Sequence, residues 1–486
     1  MVRLDPQPTD GNRILDFESF RRWAHRIADW SADYLTGVSK LPVRAQTEPG
    51  AIAAEVPAAP PEAREEMAAI FADFERIVLP GMTHWQHPRF FAYFPANSSP
   101  PSVLAEQLTA TLAAQCMLWQ TSPAATELET RMLDWLRQMI GLPEGFTGVI
   151  QDTASTATLA AILTGREKAL QYRGNVLGLA AHRPVRVYAS AHAHSSIDRA
   201  VWISGIGQDN LVKIPVAGSR HALDCAQLER AIAADKAASL VPAVIVACIG
   251  ATSVGASDDI AAVCAVARRH GLYVHVDAAW AGSAMICPEF RPLMAGAEGA
   301  DSFVFNPHKW LMTNFDCSAH FVRDPEALVR TLAARPDYLK TQGRDGVVDY
   351  SEWSVPLGRR FRALKLWFVI RAYGVEGLRE MIRGHVRWAQ ALAEEIRAEP
   401  DFELLTEPVL SLFSFRYRPE GAVDLDALNE RLLSAINDDG RIYLTQTRFE
   451  GQYAIRFQVG QTYTGEQDVA FAWEVIREMA RDQAPS

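Results

Sequence analysis

The chain has 486 residues, of which 49% are hydrophobic and 22% are charged. This length predicts two or three domains, and a net charge of −10 without a basic tract argues against nucleic acid as a partner. No segment is continuous enough for a membrane span, and Met1–Gly11 lacks the apolar core of a signal peptide. The six cysteines show neither CxxC pairs nor zinc-ligand spacing. We therefore expect a cytoplasmic protein with reduced thiols, no metal and no membrane partner.

The N-terminal part is predicted to be helical. Apolar residues recur at helical spacing in Phe17–Leu35 and in Pro61–Val78, and the Ala- and Pro-rich stretch Ala51–Glu62 is typical of a linker. These elements cannot form a sheet of their own. We expect residues 1–85 to pack on a partner subunit.

From about Gly148 the pattern changes to strands that alternate with helices. The predicted strands are Val185–Ala189, Leu211–Val216, Ala243–Ile249, Leu272–Val276, Ser302–Phe305 and Ala319–Val322. Helices are predicted over Cys225–Ala238 and Asp259–His270. This alternation predicts an α/β domain, residues 86–375, with a mostly parallel sheet and a ligand site at the carboxyl ends of its strands.

After Tyr373 the pattern indicates a small α+β domain, residues 376–486. It opens on a long helix, Gly377–Ile396, and ends on another, Thr464–Arg481. Three strands are predicted between them: Leu410–Tyr417, Ile442–Arg448 and Ala454–Gln458.

Two charged residues directly follow predicted apolar strands. Asp277 ends the segment Tyr273–Asp277, where a carboxylate needs a partner; a helix cap or a structural ion pair is the alternative. Lys309 lies in the run Asn306-Pro307-His308-Lys309-Trp310. A desolvated lysine near other cations becomes a nucleophile toward aldehydes, although a structural lysine that extends to solvent would leave the same pattern.

Two further signals are weaker. The imidazole of His194, in Ala193-His194-Ser195-Ser196, can stack on a flat heteroaromatic ring, or it can be an ordinary hydrogen-bonded histidine. Small hydroxyl residues in 152–156 open a predicted helix, which suits a phosphate but also simple capping. In chain order, the four signals supply each part that a pyridoxal-5′-phosphate (PLP) site requires.

At this point the sequence closely resembles a known family, the group II PLP-dependent decarboxylases of the aromatic-L-amino-acid type. The resemblance runs from about Phe17 to Glu478 and implies the PLP-dependent transferase-like fold (fold type I). The matching motifs are Gly81-Met82-Thr83-His84-Trp85, Phe90-Phe91-Ala92-Tyr93-Phe94-Pro95, Ala193-His194-Ser195-Ser196, His275-Val276-Asp277-Ala278-Ala279, Asn306-Pro307-His308-Lys309-Trp310 and Pro356-Leu357-Gly358-Arg359-Arg360-Phe361-Arg362.

The resemblance implies specific roles. Lys309 binds PLP covalently, Asp277 pairs with the pyridine nitrogen, and His194 stacks on the ring and approaches the substrate carboxylate. Tyr338 is the implied acid that returns a proton to Cα; it lies in a segment, about 336–348, that resembles the family's mobile catalytic loop. The other implied cofactor contacts are Ala154, Ser155 and Asn306 at the phosphate with His308 nearby, Ala279 and Thr252 beside the ring, and Gly358 from the neighbouring subunit.

The implied substrate pocket is aromatic. Trp85, Tyr93, Phe94 and Pro95 match the family's side-chain pocket, with Ala96 where the animal enzymes have Thr. Gln115 and Met117 replace Ile and Phe in the segment that reaches over from the other subunit. Gln115 either recognises a phenolic, catecholic or indole group or turns away from the ligand.

The resemblance implies a homodimer with active sites at the interface, which converts DOPA, Tyr, Trp or Phe to the arylalkylamine and CO2. Tyr338 and His194 are the residues typical of decarboxylases, which disfavours the alternative of an aldehyde synthase that uses O2. A non-catalytic binding protein on the same fold is the third hypothesis. The intact Lys309, Asp277 and His194 argue against it.

Overall fold

The computed structural model describes residues 16–334 and 346–483. Its strands in these ranges are β1 Thr147–Gln151, β2 Val185–Ser190, β3 Leu211–Ile214, β4 Val216–Ala217, β5 Ala222–Leu223, β6 Val241–Cys248, β7 Tyr273–Asp277, β8 Ser302–Phe305, β9 Ser318–Val322, β10 Phe402–Val409, β11 Leu412–Tyr417, β12 Thr445–Phe449 and β13 Gln452–Gln458. Its α-helices are α1 Phe17–Gly37, α2 Ala51–Glu55, α3 Met67–Asp73, α4 Pro100–Leu112, α5 Pro123–Ile140, α6 Ala154–Ala169, α7 Gly174–Leu177, α8 Ser196–Ile203, α9 Cys225–Ala237, α10 Ile260–His270, α11 Pro307–Trp310, α12 Pro325–Leu332, α13 Arg362–Ala398, α14 Leu425–Asp439 and α15 Glu466–Asp482.

A seven-stranded sheet forms the centre, in the order β1-β9-β8-β7-β6-β2-β3. The pairs β2–β3, β2–β6, β6–β7 and β7–β8 are parallel, whereas β9 runs antiparallel to β8 and β1. The predicted α/β fold with a mostly parallel sheet is therefore confirmed. Strands β7, β8 and β9 are buried throughout because helices cover both faces of the sheet.

Local capping explains why several helices begin and end where the sequence predicts. The carboxylate of Asp224 accepts two backbone N–H bonds at the start of α9. The carboxylate of Asp259 accepts one such bond at the start of α10. Gly271 ends α10 in the left-handed conformation, with φ of 74°.

A second sheet of four antiparallel strands, in the order β10-β11-β13-β12, forms the C-terminal part. Helices α14 and α15 and the second half of α13 pack against it around the buried rings of Phe413, Phe415 and Phe457. Helix α13 begins at Arg362, well before the predicted start at Gly377, and passes through a non-helical kink at Gly374. That kink interrupts the apolar periodicity from which the sequence pattern is read.

The N-terminal region differs in detail from the prediction. Helix α1 matches, but the expected linker contains the short helix α2, and the next helix, α3, begins only at Met67, six residues after the predicted start at Pro61. No residue of α1 is buried. The division into residues 1–85, 86–375 and 376–486 stays a prediction. Across the second of these boundaries, the ring of Phe91 stacks on that of Phe457 in the small sheet, with centroids 4.5 Å apart.

No helix within the described ranges combines the length and apolar character needed to cross a membrane.

Candidate active site

The site forms where β7 and β8 end side by side. Asp277 is the last residue of β7 and lies opposite Val304 in the parallel pair, so the carboxylate and the segment after β8 share one edge of the sheet. The backbone N–H of Asn306 donates to the carbonyl of Ala279 at 2.8 Å. Lys309 follows in the single-turn helix α11.

Lys309 is a largely buried amine. Burial lowers its pKa to about 8; the nearby Asp277 raises the pKa and Arg456 lowers it. Its Nζ lies 5.1 Å from the ring centroid of Phe94, and it forms no ion pair with a described residue. A large share of this amine is therefore neutral near pH 8, which is the form that attacks a carbonyl carbon.

Asp277 and His194 both interact electrostatically with the amine of Lys309. The buried Asp277 accepts the N–H of Ala279 through Oδ1 at 3.0 Å. Desolvation lowers the pKa of His194, with opposing contributions from Asp277, which raises it, and Lys309, which lowers it. The Nδ1 of His194 accepts the backbone N–H of Ser196 at 3.1 Å. The proton of the neutral ring therefore lies on Nε2, which makes that nitrogen a donor.

The first turn of α6 is arranged for an anion. Thr153 caps the helix through a 3.4 Å bond from the N–H of Thr156, while the N–H groups of Ala154 and Ser155 have no partner in the described chain. Ala154 packs in one apolar cluster with Val304, against which Ala279 lies. The predicted phosphate turn and the predicted ring contact are therefore neighbours.

Asn306 and His308 supply further polar groups. The Oδ1 atom of Asn306 is buried without a hydrogen-bond partner in the described chain, and an amide rotated by 180° presents its NH2 group there instead. The Nδ1 atom of His308 accepts the N–H of Cys317 at 2.9 Å, and burial lowers the pKa of His308 to about 3. A partly neutral lysine, a carboxylate, a neutral imidazole and an amide oxygen without a partner in the described chain are groups that fit a heteroaromatic phosphate bearing a carbonyl.

Aromatic rings form one wall beside Lys309. Trp85 stacks on Tyr93 with centroids 5.9 Å apart, and Tyr93 remains exposed. Phe94 is buried and stacks on Trp280 at 4.4 Å. The remaining predicted wall residues, Pro95 and Ala96, continue the same turn, in which the carbonyl of Ala96 accepts a bond from Gln86 at 2.9 Å.

A second group of predicted site residues comes from two segments that pack against each other. These residues are Gln115, Met117 and Gly358. The Oε1 atom of Gln115 accepts the N–H of Arg359 at 2.7 Å, and a Cβ on Gly358 would lie 3.3 Å from Nε2 of Gln115. The carbonyl of Met117 accepts the N–H of Ser351 at 2.9 Å. No hydrogen bond joins the three predicted residues to Lys309, Asp277 or His194 within the described part of one chain.

Sequence reasoning missed Arg456, a buried residue of β13. Its Nε donates to the carbonyl of Thr252 at 2.8 Å, its Nη1 donates to the carbonyl of Tyr93, and its guanidinium lies 4.6 Å from the centroid of Phe94. An arginine inside the apolar strand Ala454–Gln458 was the available signal, because arginine is seldom fully buried. Tyr338 and most of the predicted loop 336–348 lie outside the described residues.

Comparison with known proteins identifies the family. Residues 49–418 match the pyridoxal-dependent decarboxylase conserved domain. The chain belongs to the pyridoxal-dependent decarboxylase family. The resemblance and the predicted PLP cofactor are thereby confirmed.

Similar proteins cover almost the whole chain of this pyridoxal-dependent decarboxylase. It is 42% identical to aromatic-L-amino-acid decarboxylase of Rattus norvegicus, over 96% of this chain and 98% of that protein. It is 39% identical to phenylacetaldehyde synthase of Arabidopsis thaliana, over 96% of each chain. The crystal structure of Catharanthus roseus tryptophan decarboxylase in complex with L-tryptophan superposes with a TM-score of 0.92 at 36% identity, over 97% of this chain and all of that one.

Proposed function

We propose that this protein decarboxylates an aromatic L-amino acid to the arylalkylamine and CO2, with PLP bound through Lys309. The observation that carries the proposal is a desolvated, partly neutral lysine beside a strand-end carboxylate and an aromatic wall. When bound, PLP supplies a conjugated ring that accepts the electron pair left on Cα as CO2 departs.

The residues of the chain divide the work. When PLP is bound, Lys309 would hold it through its amine, and the carboxylate of Asp277 would keep a proton on the pyridine nitrogen. His194 would pack beside the cofactor and donate from Nε2 to the substrate carboxylate, which would orient the bond to be broken. Tyr338 would return a proton to Cα. The amides of Ala154 and Ser155 and the side chain of Asn306 would hold the phosphate, with His308 nearby and with Thr252 and Ala279 beside the cofactor.

The walls of the site favour a flat side chain. Trp85 and Tyr93 provide partly exposed rings on which an aromatic substrate can stack, and Phe94 with Trp280 excludes water behind Lys309. The printed names of the relatives point to aromatic amino acids as well. DOPA, tyrosine, tryptophan and phenylalanine are the proposed substrate class.

In the proposed homodimer, Gln115 supplies a polar group to the partner's pocket. Its oxygen accepts the N–H of Arg359 at 2.7 Å, which uses one of its two lone pairs, and its NH2 group is available as a donor. The NH2 group can donate to the phenolic or catecholic oxygen of tyrosine or DOPA, and the second lone pair can accept from the indole N–H of tryptophan. All three therefore stay in the proposed substrate class.

The protein is proposed to act as a homodimer. A groove of about 1390 Å³ separates α1 from α4 and is lined mainly by apolar residues. Phe20 of α1 is 61% exposed, and Leu104 and Leu112 of α4 are 56% and 62% exposed. Apolar surface of this extent marks an interaction site, and a second copy would bury it while bringing the Gln115–Gly358 segment to the neighbouring active site.

Two other expectations stay proposals. The division into residues 1–85, 86–375 and 376–486 is supported by the separate sheets and by the interface helix α1. A cytoplasmic location is supported by six free cysteines, five of them buried.

A substrate panel tests the proposed function. The PLP-loaded protein is incubated with L-DOPA, L-tyrosine, L-tryptophan, L-phenylalanine and L-histidine, and products are identified by mass spectrometry with a parallel peroxide assay. We expect amine without stoichiometric peroxide, and no product from histidine. Aldehyde with peroxide would mean an aldehyde synthase, and protein without the cofactor's visible absorbance would mean a binding protein.

The Tyr338→Phe variant separates the two catalytic hypotheses further. Without the phenolic proton, the product of Tyr338→Phe is expected to shift from amine toward aldehyde, ammonia and peroxide. Unchanged amine yield in this variant would rule out Tyr338 as the acid.

A further inference from the structure

Arg456 is a buried cation without an anionic partner in residues 16–334 and 346–483. The residue is 2% exposed, and no carboxylate among the described residues forms an ion pair with it. Burial lowers the pKa of its guanidinium to about 9. Because an uncompensated buried charge is costly, its retention in an apolar strand needs a specific reason.

The guanidinium joins three segments that are distant in the chain. Arg456 comes from β13 of the small sheet, the carbonyl of Thr252 from the loop after β6, and the carbonyl of Tyr93 from the turn before α4. The rigid fork of an arginine can hold two carbonyls at once, which a lysine ammonium cannot do with the same geometry.

Tyr93 needs such support. Its φ of 48° lies in the left-handed region, which is unfavourable for a bulky residue and persists only where the surroundings enforce it. Arg456 binds the carbonyl of this residue and stands over the next ring, that of Phe94. The strained turn and its bond to Arg456 therefore set the position of the aromatic wall.

Arg456 also lies close to Lys309. The two cations stand over the same Phe94 ring, at 4.6 Å and 5.1 Å from its centroid. The Nη2 atom of Arg456 has no hydrogen-bond partner in the described chain.

A direct ion pair with the carboxylate that leaves is the competing role for this atom. That carboxylate loses its charge as it becomes CO2, so such a pair would be stronger in the ground state than in the transition state and would slow the reaction. The contacts to two carbonyls and to Phe94 favour a different use of the cation.

We propose that Arg456 is a positioning residue, which fixes the Tyr93–Phe94 wall and the Thr252 loop against the Lys309 site. This inference rests on the proposed decarboxylation, whose walls these residues form.

The test compares PLP-loaded Arg456→Lys and Arg456→Gln with wild type. Arg416→Lys is the matched control, because Arg416 lies in the neighbouring strand β11 and pairs with Glu403 at 2.7 Å. Visible circular dichroism of the bound cofactor reports the geometry around it without substrate. The Michaelis constant for L-tyrosine and the inhibition constant of tyramine, which lacks the carboxylate, separate positioning from carboxylate binding, and melting temperatures report folding.

Both Arg456 variants are expected to change the visible dichroism and to weaken L-tyrosine and tyramine binding by the same factor, about tenfold, as for the loss of one charged hydrogen bond. Arg416→Lys is expected to change neither. Unchanged dichroism and affinities overturn the proposal. So does a loss confined to L-tyrosine, which would make Arg456 the carboxylate anchor, or full rescue by lysine, which would reduce its role to charge.

The experiment still decides if one variant does not fold or if the wild type is inactive. If Arg456→Gln does not fold, Arg456→Lys alone decides between these outcomes. If wild type forms no amine from any aromatic amino acid, the proposed function fails, whereas the dichroism still judges Arg456 because it needs no substrate.

Discussion

At the scale of single residues, burial decides the chemistry of Lys309. A lysine on a solvated surface is protonated near neutral pH, whereas the apolar surroundings of Lys309 bring its pKa to about 8. Asp277 counteracts this effect by favouring the charged amine. Two effects on the pKa of Lys309 therefore oppose each other: burial lowers it and favours the neutral amine, whereas Asp277, the proposed partner of the cofactor ring, raises it.

This balance predicts a pH dependence of cofactor uptake. The rate at which PLP-free protein gains visible absorbance should rise with pH through about 8 and then level, because only the neutral amine attacks. Asp277→Asn should move the midpoint to lower pH, since it removes the charge that raises the pKa of Lys309. A wild-type midpoint near the ordinary lysine value, about 10.5, would contradict the effect of burial.

Lys309, Asp277 and His194 were recognisable in the sequence because each stands in a long motif. Arg456 stands in no such motif. Its place in an apolar strand signals burial, but its partners, the backbone carbonyls of Thr252 and Tyr93, are encoded by no residue type. The tautomer of His194 likewise follows from a backbone N–H, that of Ser196.

At the scale of elements, one buried ion pair ties together the segments predicted to reach the neighbouring subunit. Nη2 of Arg359 donates to Oε1 of Glu129 on α5 at 2.6 Å and to the carbonyl of Ile150 on β1 at 2.8 Å. The backbone of Arg359 pairs with Cys116 and holds the amide of Gln115. The pair therefore connects the strand before the phosphate turn to the Gln115–Gly358 segment.

Breaking this pair should destabilise the protein strongly. Glu129→Gln is expected to cost about 3–5 kcal/mol in the free energy of unfolding, because it leaves Arg359 buried without a counter-charge. Urea denaturation measures the loss. Glu407→Gln, which breaks the exposed pair with Arg397, should change stability by less than about 1 kcal/mol. Equal losses of stability in the two variants would show that the buried Arg359–Glu129 pair does not hold these segments together.

The sequence predicted elements best where capping residues mark their ends, as for α9 and α10. It missed strand β10 entirely, so that three strands were predicted where the second sheet has four. It also misplaced the start of α13, where Gly374 breaks the helical pattern without ending the element, and predicted the start of α3 too early.

At the scale of the whole molecule, the exposed apolar face of α1 and α4 is the main feature that one chain leaves unexplained. Its residues repeat at helical spacing, yet no residue of α1 is buried. The proposed homodimer would bury that face and would bring the Gln115–Gly358 segment to the neighbouring site.

Leu104→Glu tests this arrangement. A carboxylate placed in the buried interface should weaken dimerisation by about a hundredfold or more, so light scattering should detect a species of 53.7 kDa with reduced decarboxylation. Val423→Glu is the control, since Val423 is fully exposed in the turn before α14. A Leu104→Glu protein that remains dimeric would show that another surface forms the interface.

The sequence by itself determined the family, the cofactor and the order of the parallel-sheet elements, because these reside in contiguous motifs and in local periodicity. Only the tertiary structure decided how far burial shifts the pKa of Lys309, which nitrogen of His194 carries the proton, and that Arg456 lies among the walls of the site. The pKa of Lys309 and the place of Arg456 depend on atoms brought together from distant parts of the chain, and desolvation exists only once those parts have packed. The tautomer of His194 depends on a local backbone N–H, that of Ser196, whose direction is set only in the folded turn.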